Sequence, residues 1–311
     1  MRYAHSAMSL SRSSNPGPDP LSDVLAVLEA RATRPQRLEA SGDWALAFPQ
    51  RDRLKFVAVV KGACWIETPG QGRLRLAAGD VCLIGRTAYK VAGNPDADAL
   101  DGLPFFDGEG RDALRLGGDE TVLLGGGIAL ARENAGFLLD MLPAFALAPR
   151  ASARAASVRA LLALLDAETA RAELGSEAVA VRLAEVLLVE AVRACASGGA
   201  PAGWLSALAD VRLGRALALV HADIAEPWTV ARLAAEAGMS RSAFSAQFTA
   251  MVGQPPLAYV RAWRLAWARA LLDKGEANVG SVAISVGYAS QSAFGHAYRR
   301  AFAGTPRSQG A

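Results

Sequence analysis

Arg241, Ser242 and Ser245 in one stretch, and Gln291, Ser292 and His296 in another, carry donors and acceptors of the kind that pair with nucleobase edges. Arginine reaches both acceptors of guanine, glutamine matches adenine, and a serine hydroxyl takes either role. Ala246 and Gly295 complete the two series and offer a methyl contact or close approach. In each stretch these residues flank aromatics spaced four apart, Phe244 and Phe248 in the first, Phe294 and Tyr298 in the second. Residues four apart share one helix face, so aromatics turned inward leave the polar residues facing out. Those nearest the helix N-terminus would reach deepest into a groove. The alternative for each position is a solvated helix surface.

Positioning such side chains takes two helices and a turn, and residues 228 to 307 spell that unit twice. Val230, Leu233, Ala234 and Ala237 recur at helical spacing, Gly238 stops the helix and Ser240 caps the next one. Val279, Val282, Ala283, Val286, Gly287 and Ser290 repeat the series with a turn one residue longer. Helix-turn-helix motifs are therefore expected at 229–250 and 279–302. Between them, residues 256–272 read as one linker helix opening with Pro256, about 25 Å long. With the offsets of the flanking motifs, the two second helices are expected about 34 Å apart, one turn of duplex DNA. The apolar line Val260, Trp263, Trp267 and Leu271 is expected to hold that relation.

Charge follows the same division. From Gly238 onward eight basic residues face Asp273 and Glu276, a net of +6, whereas the whole chain is +3 and residues 1–237 are therefore −3. Positive potential concentrates where a phosphate backbone would lie. Arg261, Arg264, Arg299 and Arg300 are expected on phosphates, or else are solvated charge.

The tandem motif, with Gly238-Met239-Ser240, Gly253-Gln254-Pro255-Pro256 and Val286-Gly287-Tyr288, resembles the DNA-binding domain of the AraC/XylS transcription regulators from Trp204 onward. That resemblance implies base contacts from Arg241, Ser242, Ser245, Ala246, Gln291, Ser292, Gly295 and His296, the last standing where the family often has a longer basic side chain. It also implies double-stranded promoter DNA and RNA polymerase as partners, with activation more often than repression.

A length of 311 residues suggests two domains. No run of about 18 apolar residues exists and the N-terminus lacks the apolar stretch of a secretory signal, which predicts a cytoplasmic protein without membrane spans. Three cysteines fit a reducing compartment. Residues 1–18, rich in Ser, Pro and Gly, read as a disordered tail. Asp19-Pro20 reads as a cap and first turn of a helix continuing to about Ala32.

Up to about Ala131 the texture is short alternating runs broken by glycine. Trp44 to Phe48, Lys55 to Val60, Ala63 to Glu67, Arg73 to Leu76, Val81 to Ile84 and Thr121 to Leu124 are the strand candidates, and they suggest an antiparallel barrel or double-sheet roll. Ala78-Gly79-Asp80 before Val81 to Ile84 resembles the start of the second cupin motif, but Lys90 stands where that motif supplies a histidine. The three histidines, His5, His221 and His296, all lie outside the barrel. Neither a metal nor a cofactor is expected.

Val158, Leu161, Leu162 and Leu165 form one helical stripe and Val179 to Val192 is apolar almost all round. The pair is expected to form a hairpin that packs either on a second subunit, making a homodimer, or on the barrel. The expected fold is thus two-domain α+β: a sensor at 19–150, a hairpin at 151–200, and an all-α tandem helix-turn-helix domain at 204–311.

Some residues admit two readings. Cys64 and Cys82 either form an oxidant-sensing pair or are small hydrophobes in a strand core. Trp65, Phe105 and Phe106 line a ligand pocket or fill the core. Gly125-Gly126-Gly127 lacks the spacing of a dinucleotide fingerprint. Asp96, Asp98 and Asp101 miss calcium-loop spacing and read as part of an exposed acidic loop, about 94 to 112. The expectation is a non-enzymatic, sequence-specific regulator responding to a small molecule or an oxidant. Its rivals are a metal-free cupin enzyme with an accessory DNA-binding domain and a non-specific architectural DNA-binding protein.

Overall fold

The computed structural model describes residues 19–106, 113–130, 136, 139–171, 173–197, 203–275, 278–302 and 304–306. The expected disordered tail lies outside the described residues, as does part of the acidic loop.

The N-terminal half begins with α1 (Pro20–Val27), capped by Asp19 through the amides of Leu21 and Ser22. The helix was expected to continue to about Ala32 and stops earlier. Glu29 adopts φ 47° and turns the chain, and Arg31–Ala32 becomes strand β1, paired with Ala129 and Ile128. Strands β2 (Gln36–Ala40), β3 (Ala45–Phe48), β4 (Leu54–Lys61), β5 (Ala63–Thr68), β6 (Gly72–Ala77), β7 (Val81–Ile84), β8 (Tyr89–Ala92) and β9 (Leu100–Asp101) follow. A short helix α2 (Leu103–Phe106) precedes β10 (Ala113–Leu116), β11 (Thr121–Ala129) and β12 (Phe145–Ala148). They build two sheets, one ordered β10-β2-β11-β4-β7-β12 with β1 also on β11, the other β6-β5-β8-β3-β9. Pairing is antiparallel except between β10 and β2 and between β3 and β9.

Between the sheets lies a core that includes Leu46, Val57, Val59, Cys64, Ile66, Cys82, Val91 and Leu123. The first sheet is covered on its other face too. Alternate residues of its central strands, Phe56 and Ala58, Val81 and Leu83, Leu124 and Ile128, point out of the sandwich into a second core shared with helices. That is why Val81 to Ile84 reads as an unbroken apolar run: a strand buried on both faces has no polar side to show. The triple glycine lies within β11, and at Gly126 a Cβ would sit 2.5 Å from a ring carbon of Phe56. The strand gives up a side chain so that this buried ring can pack against its backbone.

The covering helices are α3 (Ala155–Arg171) and α4 (Ser176–Ser197). They form the expected hairpin, and its buried residues Val158, Leu162, Leu165, Ala184, Leu187 and Leu188 belong to the core on the outer face of the first sheet. For these residues packing on the sandwich, rather than on a second subunit, is the outcome. Leu164, Val179 and Val186 remain exposed on the hairpin's other side.

The C-terminal half contains α5 (Trp204–Ala209), α6 (Val211–Ala222), α7 (Val230–Glu236), α8 (Arg241–Val252), α9 (Pro256–Asp273), α10 (Val279–Ser285) and α11 (Gln291–Phe302). The two halves are joined by polar contact as well as by packing. Trp204 Nε1 donates to the Tyr259 hydroxyl at 3.2 Å, which lies 2.7 Å from His221 Nε2, and His221 Nδ1 lies 3.2 Å from Asp23 Oδ2 on α1. Burial pulls the His221 pKa below its ordinary value, with Asp23 opposing. A neutral ring carrying its proton on Nδ1 satisfies every member of the chain. Among the described residues no helix is long and apolar enough to cross a membrane.

Gly126→Ala should destabilise the protein by about 1 to 3 kcal/mol through overpacking. Gly125→Ala, whose Cβ would meet nothing closer than 3.6 Å, should be near neutral. Denaturant unfolding of the two variants checks this, and equal behaviour would remove the packing role assigned to the glycine.

Candidate nucleic-acid interface

The two helix-turn-helix motifs close in the same way. Thr229 caps α7 through the amide of Arg232 and Asn278 caps α10 through the amide of Ser281. Gly238 and Gly287 end these helices at φ 63° and 82°. The next amides turn back to the last turn, Met239 to Ala234 O and Tyr288 to Ala283 O, both at 2.9 Å, which satisfies the helix-end carbonyls. Ser240 and Ser290 then accept from Ala243 and Ala293, each at 3.2 Å.

From those caps, α8 and α11 repeat one exposure pattern. Phe244, Phe248, Phe294 and Tyr298 are buried, while Arg241, Ser242, Ala246, Gln291, Ser292 and His296 are exposed. Ser245 is half-buried and Gly295 is buried. Arg299 lies over this glycine: its guanidinium stands 3.6 Å from where a Gly295 Cβ would be, an ordinary contact, and 3.3 Å from His296 Nδ1. Arg299, expected on a phosphate, thus lies beside the predicted base-reading positions. Arg261 and Arg300 are exposed.

Arg264 requires correction. It was expected on a phosphate, yet its Nε donates to Ile224 O at 2.8 Å, Nη1 to Gly287 O at 3.3 Å, and Nη2 to Glu226 O at 2.7 Å and Ala225 O at 3.3 Å. Burial lowers its pKa below the usual arginine value, although a guanidinium stays charged at neutral pH. It therefore ties the loop leading into the first motif to the turn of the second. Gly287 completes the joint, since a Cβ there would sit 2.6 Å from Ala225 O and 2.8 Å from Arg264 Nη2.

The linker helix α9 is buried on two sides, where the sequence suggested one. Tyr259, Val260, Trp263 and Ala266 pack with the first motif, Leu265, Ala268 and Leu272 with the second, and Trp267 touches both cores. Arg269 is also drawn inward, over the Phe302 ring at 4.6 Å.

A family model described as "Cupin" matches residues 19–197, and one described as "Helix-turn-helix domain" matches residues 233–309. The chain is 37% identical over 293 residues to a putative AraC-like transcription regulator of Streptomyces antibioticus, covering 93% of this chain and 97% of that one. The chain belongs to the AraC family of transcription regulators. Within that family it is also 29% identical to the regulator AlkR of Acinetobacter baylyi, over 93% of this chain and 98% of the relative. It is 26% identical to the RCS-specific transcriptional activator RclR of Escherichia coli, over 93% and 95%. As an AraC-family regulator with an N-terminal cupin domain, it binds DNA through the helix-turn-helix region just described.

The remaining sequence candidates lie away from that surface. Lys90, at the cupin histidine position, donates to Pro95 O and Ala97 O. Asp80 is buried and accepts from the amides of Ala77 and Arg150 and from the Arg150 guanidinium, fastening the Ala-Gly-Asp turn to the end of β12. Asp96 pairs with Arg73 and Asp101 caps the Leu103 amide. Among the described residues no group of three His, Cys, Asp or Glu could hold a metal. Cys64 and Cys82 are free, buried thiols in the sandwich core. Burial pushes Cys64 up to about 12 and Cys82 well above its ordinary value, so both are held as the unreactive thiol in this structure. The geometry favours their alternative reading as small hydrophobes.

Arg264→Met keeps the apolar stem but loses the four backbone hydrogen bonds, and should weaken binding to a two-box site by about tenfold to a hundredfold. Selection from DNA with a randomised gap between the boxes should give one sharp spacing for the natural protein and a broadened set for the variant. An unchanged spacing would remove the positioning role.

Proposed function

We propose that this regulator reads two DNA boxes one helical turn apart with α8 and α11, and that a small molecule bound by its N-terminal half changes that binding. Base contacts come from Arg241, Ser242, Ser245, Ala246, Gln291, Ser292, Gly295 and His296, with Arg299 alongside. Arg261 and Arg300 meet phosphates. The observation that carries this reading is the matched exposure of the two helices, held together by the Arg264 joint.

In the same reading, residues 19–150 form the sensor, 151–200 the pairing hairpin and 204–311 the DNA-binding domain. Two copies associate through the hairpin side that exposes Leu164, Val179 and Val186. The protein acts in the cytoplasm on promoter DNA and RNA polymerase, as an activator rather than an enzyme. An effector can shift DNA binding only by favouring one arrangement of the two halves, and the Asp23–His221 contact supplies a place where such arrangements would differ. The buried, protonated Cys64 and Cys82 weigh against an oxidant as the signal and in favour of a bound small molecule.

Arg241→Ala should cost about 1 to 3 kcal/mol on the selected site and relax preference at one base pair. Titrations against the selected site and random DNA in the same salt check this. An equal loss on both would make Arg241 a backbone contact.

A further inference from the structure

The two recognition helices share one exposure pattern but differ in where their charge lies. Counted from its serine cap, α8 carries Arg241 at the first position, and its positions matching 295, 296 and 299 hold Ser245, Ala246 and Thr249. In α11 the order is reversed: Gln291 comes first, and the basic residues His296, Arg299 and Arg300 all fall in the second half. Eight residues of motif register, about 12 Å along a helix, separate the place of Arg241 from that of Arg299.

The surroundings of Arg299 fix where its guanidinium lies. Gly295 sits in the middle of α11, where glycine is among the least favourable residues. Close packing does not account for it. Apart from its chain neighbours and its own helix backbone, the one atom among the described residues within 4 Å of a Cβ there is Arg299 Nη1, at 3.6 Å. The missing side chain leaves a bare strip of helix face, and the arginine four residues on, which shares that face, lies across it. Arg299 Nη2 also meets His296 Nδ1 at 3.3 Å. A guanidinium carries only donors, so Nδ1 accepts and the proton of the neutral ring sits on Nε2. Among the described residues this is the one polar contact that Arg299 makes. One of its five donors is engaged, and the rest remain for a ligand.

Resting on the two-box reading above, we infer that Arg299, and not a residue of the first turn, is the guanine reader of α11. Its guanidinium takes guanine O6 and N7 in the major groove, and Gly295 leaves the platform on which it lies. His296 is a positioning residue: it fixes the fork through Nδ1 and offers Nε2–H to an acceptor on a neighbouring base. The box read by α8 then has its guanine opposite the start of the helix, and the box read by α11 has its guanine opposite the second half. The two boxes are therefore different sequences and not copies of one.

The test compares the full chain with Arg299→Met and Arg299→Lys by selection from random DNA, then titrates each against the selected site and random DNA over a salt series. The natural protein should demand guanine at one position of the α11 box. Arg299→Met should lose that demand and weaken the selected site roughly tenfold to a hundredfold, with the other positions unchanged. Arg299→Lys keeps the charge but not the planar fork, so it should keep random-DNA affinity and the salt slope while relaxing the same position. A uniform loss on all sequences with a salt slope lower by about one, or a lysine variant as selective as the natural protein, overturns the inference in favour of a phosphate contact. Gly295→Leu should leave the melting temperature unchanged or higher, since leucine is the better helix former, yet relax that guanine. Combined with Arg299→Met it should cost nothing more than Arg299→Met alone, and a further loss would show a clash with DNA and remove the platform. His296→Asn, which keeps an acceptor near the place of Nδ1, should retain the preference and His296→Leu should relax it; equal behaviour removes the positioning role. Arg241→Ala separates the two levels. If it and Arg299→Met are both silent the two-box reading itself fails, and if Arg299→Met alone is silent only the present inference does.

Discussion

One half-buried guanidinium sets the relation between the two helix-turn-helix motifs. Arg264 projects from the middle of the linker helix and donates to carbonyls on both sides, those of residues 224–226 before the first motif and of Gly287 in the second. A neutral side chain of the same length could pack there but could not bind several carbonyl dipoles in fixed directions, because only a guanidinium presents five donors in a rigid fork. Partial burial weakens its hold on the proton, and a charge partly withdrawn from water is costly where its inward donors lack partners. The joint is therefore stiff: moving either motif leaves a half-buried cation short of acceptors. Hydrophobic contact alone lacks that directional demand. Trp267, shared by both cores, would tolerate sliding where the guanidinium would not.

Much of this was legible beforehand because it is local. Caps, glycine stops and aromatic pairs within one motif are separated by a few residues, and Ser240 with Ala243 or Gly238 with Ala235 meet as their spacing dictates. The strands with clear alternation or strong apolar runs were equally open to inspection. What escaped is non-local. Arg264 looked like any helix-surface arginine because its acceptors lie 38 to 40 residues before it and 23 after it. Phe145–Ala148 and Gln36–Ala40 carry little periodic signal, and they are strands because a sheet already in place offers them partners. The end of α1 was misjudged for the same reason. Leu28 to Ala32 keeps a helical composition, but the edge of β11 competes for Arg31 and Ala32 and wins.

In the proposed reading, the doubly covered sheet is what links sensing to DNA binding. Its inner face closes the sandwich, while its outer face packs against α1, α3 and α4. Strands β4, β7 and β11 contribute alternate side chains to both cores. A shift of these strands toward an occupant therefore changes the surface on which the helices rest, because close-packed interiors transmit displacement instead of absorbing it. From α1 the path is short: Asp23 meets His221, and His221 meets Tyr259 on the linker helix and stacks on Trp263 at 4.2 Å.

The two motifs do not stand in equal relation to that path. The first shares one continuous core with the sensor, running from Phe56 and Leu124 through Leu187 and Trp204 to Phe244 and Phe248. The second keeps its own core of Leu265, Leu272, Val282, Phe294 and Tyr298 and is bound to the rest through α9, Trp267 and the Arg264 joint. In the proposed reading, a change in the sensor acts first on the motif that carries Arg241, and the motif that carries Gln291 follows as far as α9 and the guanidinium oblige it to. Were the joint loose, an effector could reposition one recognition helix and leave the other on its box, which would lower affinity without altering the preferred spacing. With the joint stiff, both helices move as a unit relative to the sensor. In the proposed reading, regulation then falls on how the paired motifs are presented to DNA, while the distance between them stays a property of the fold.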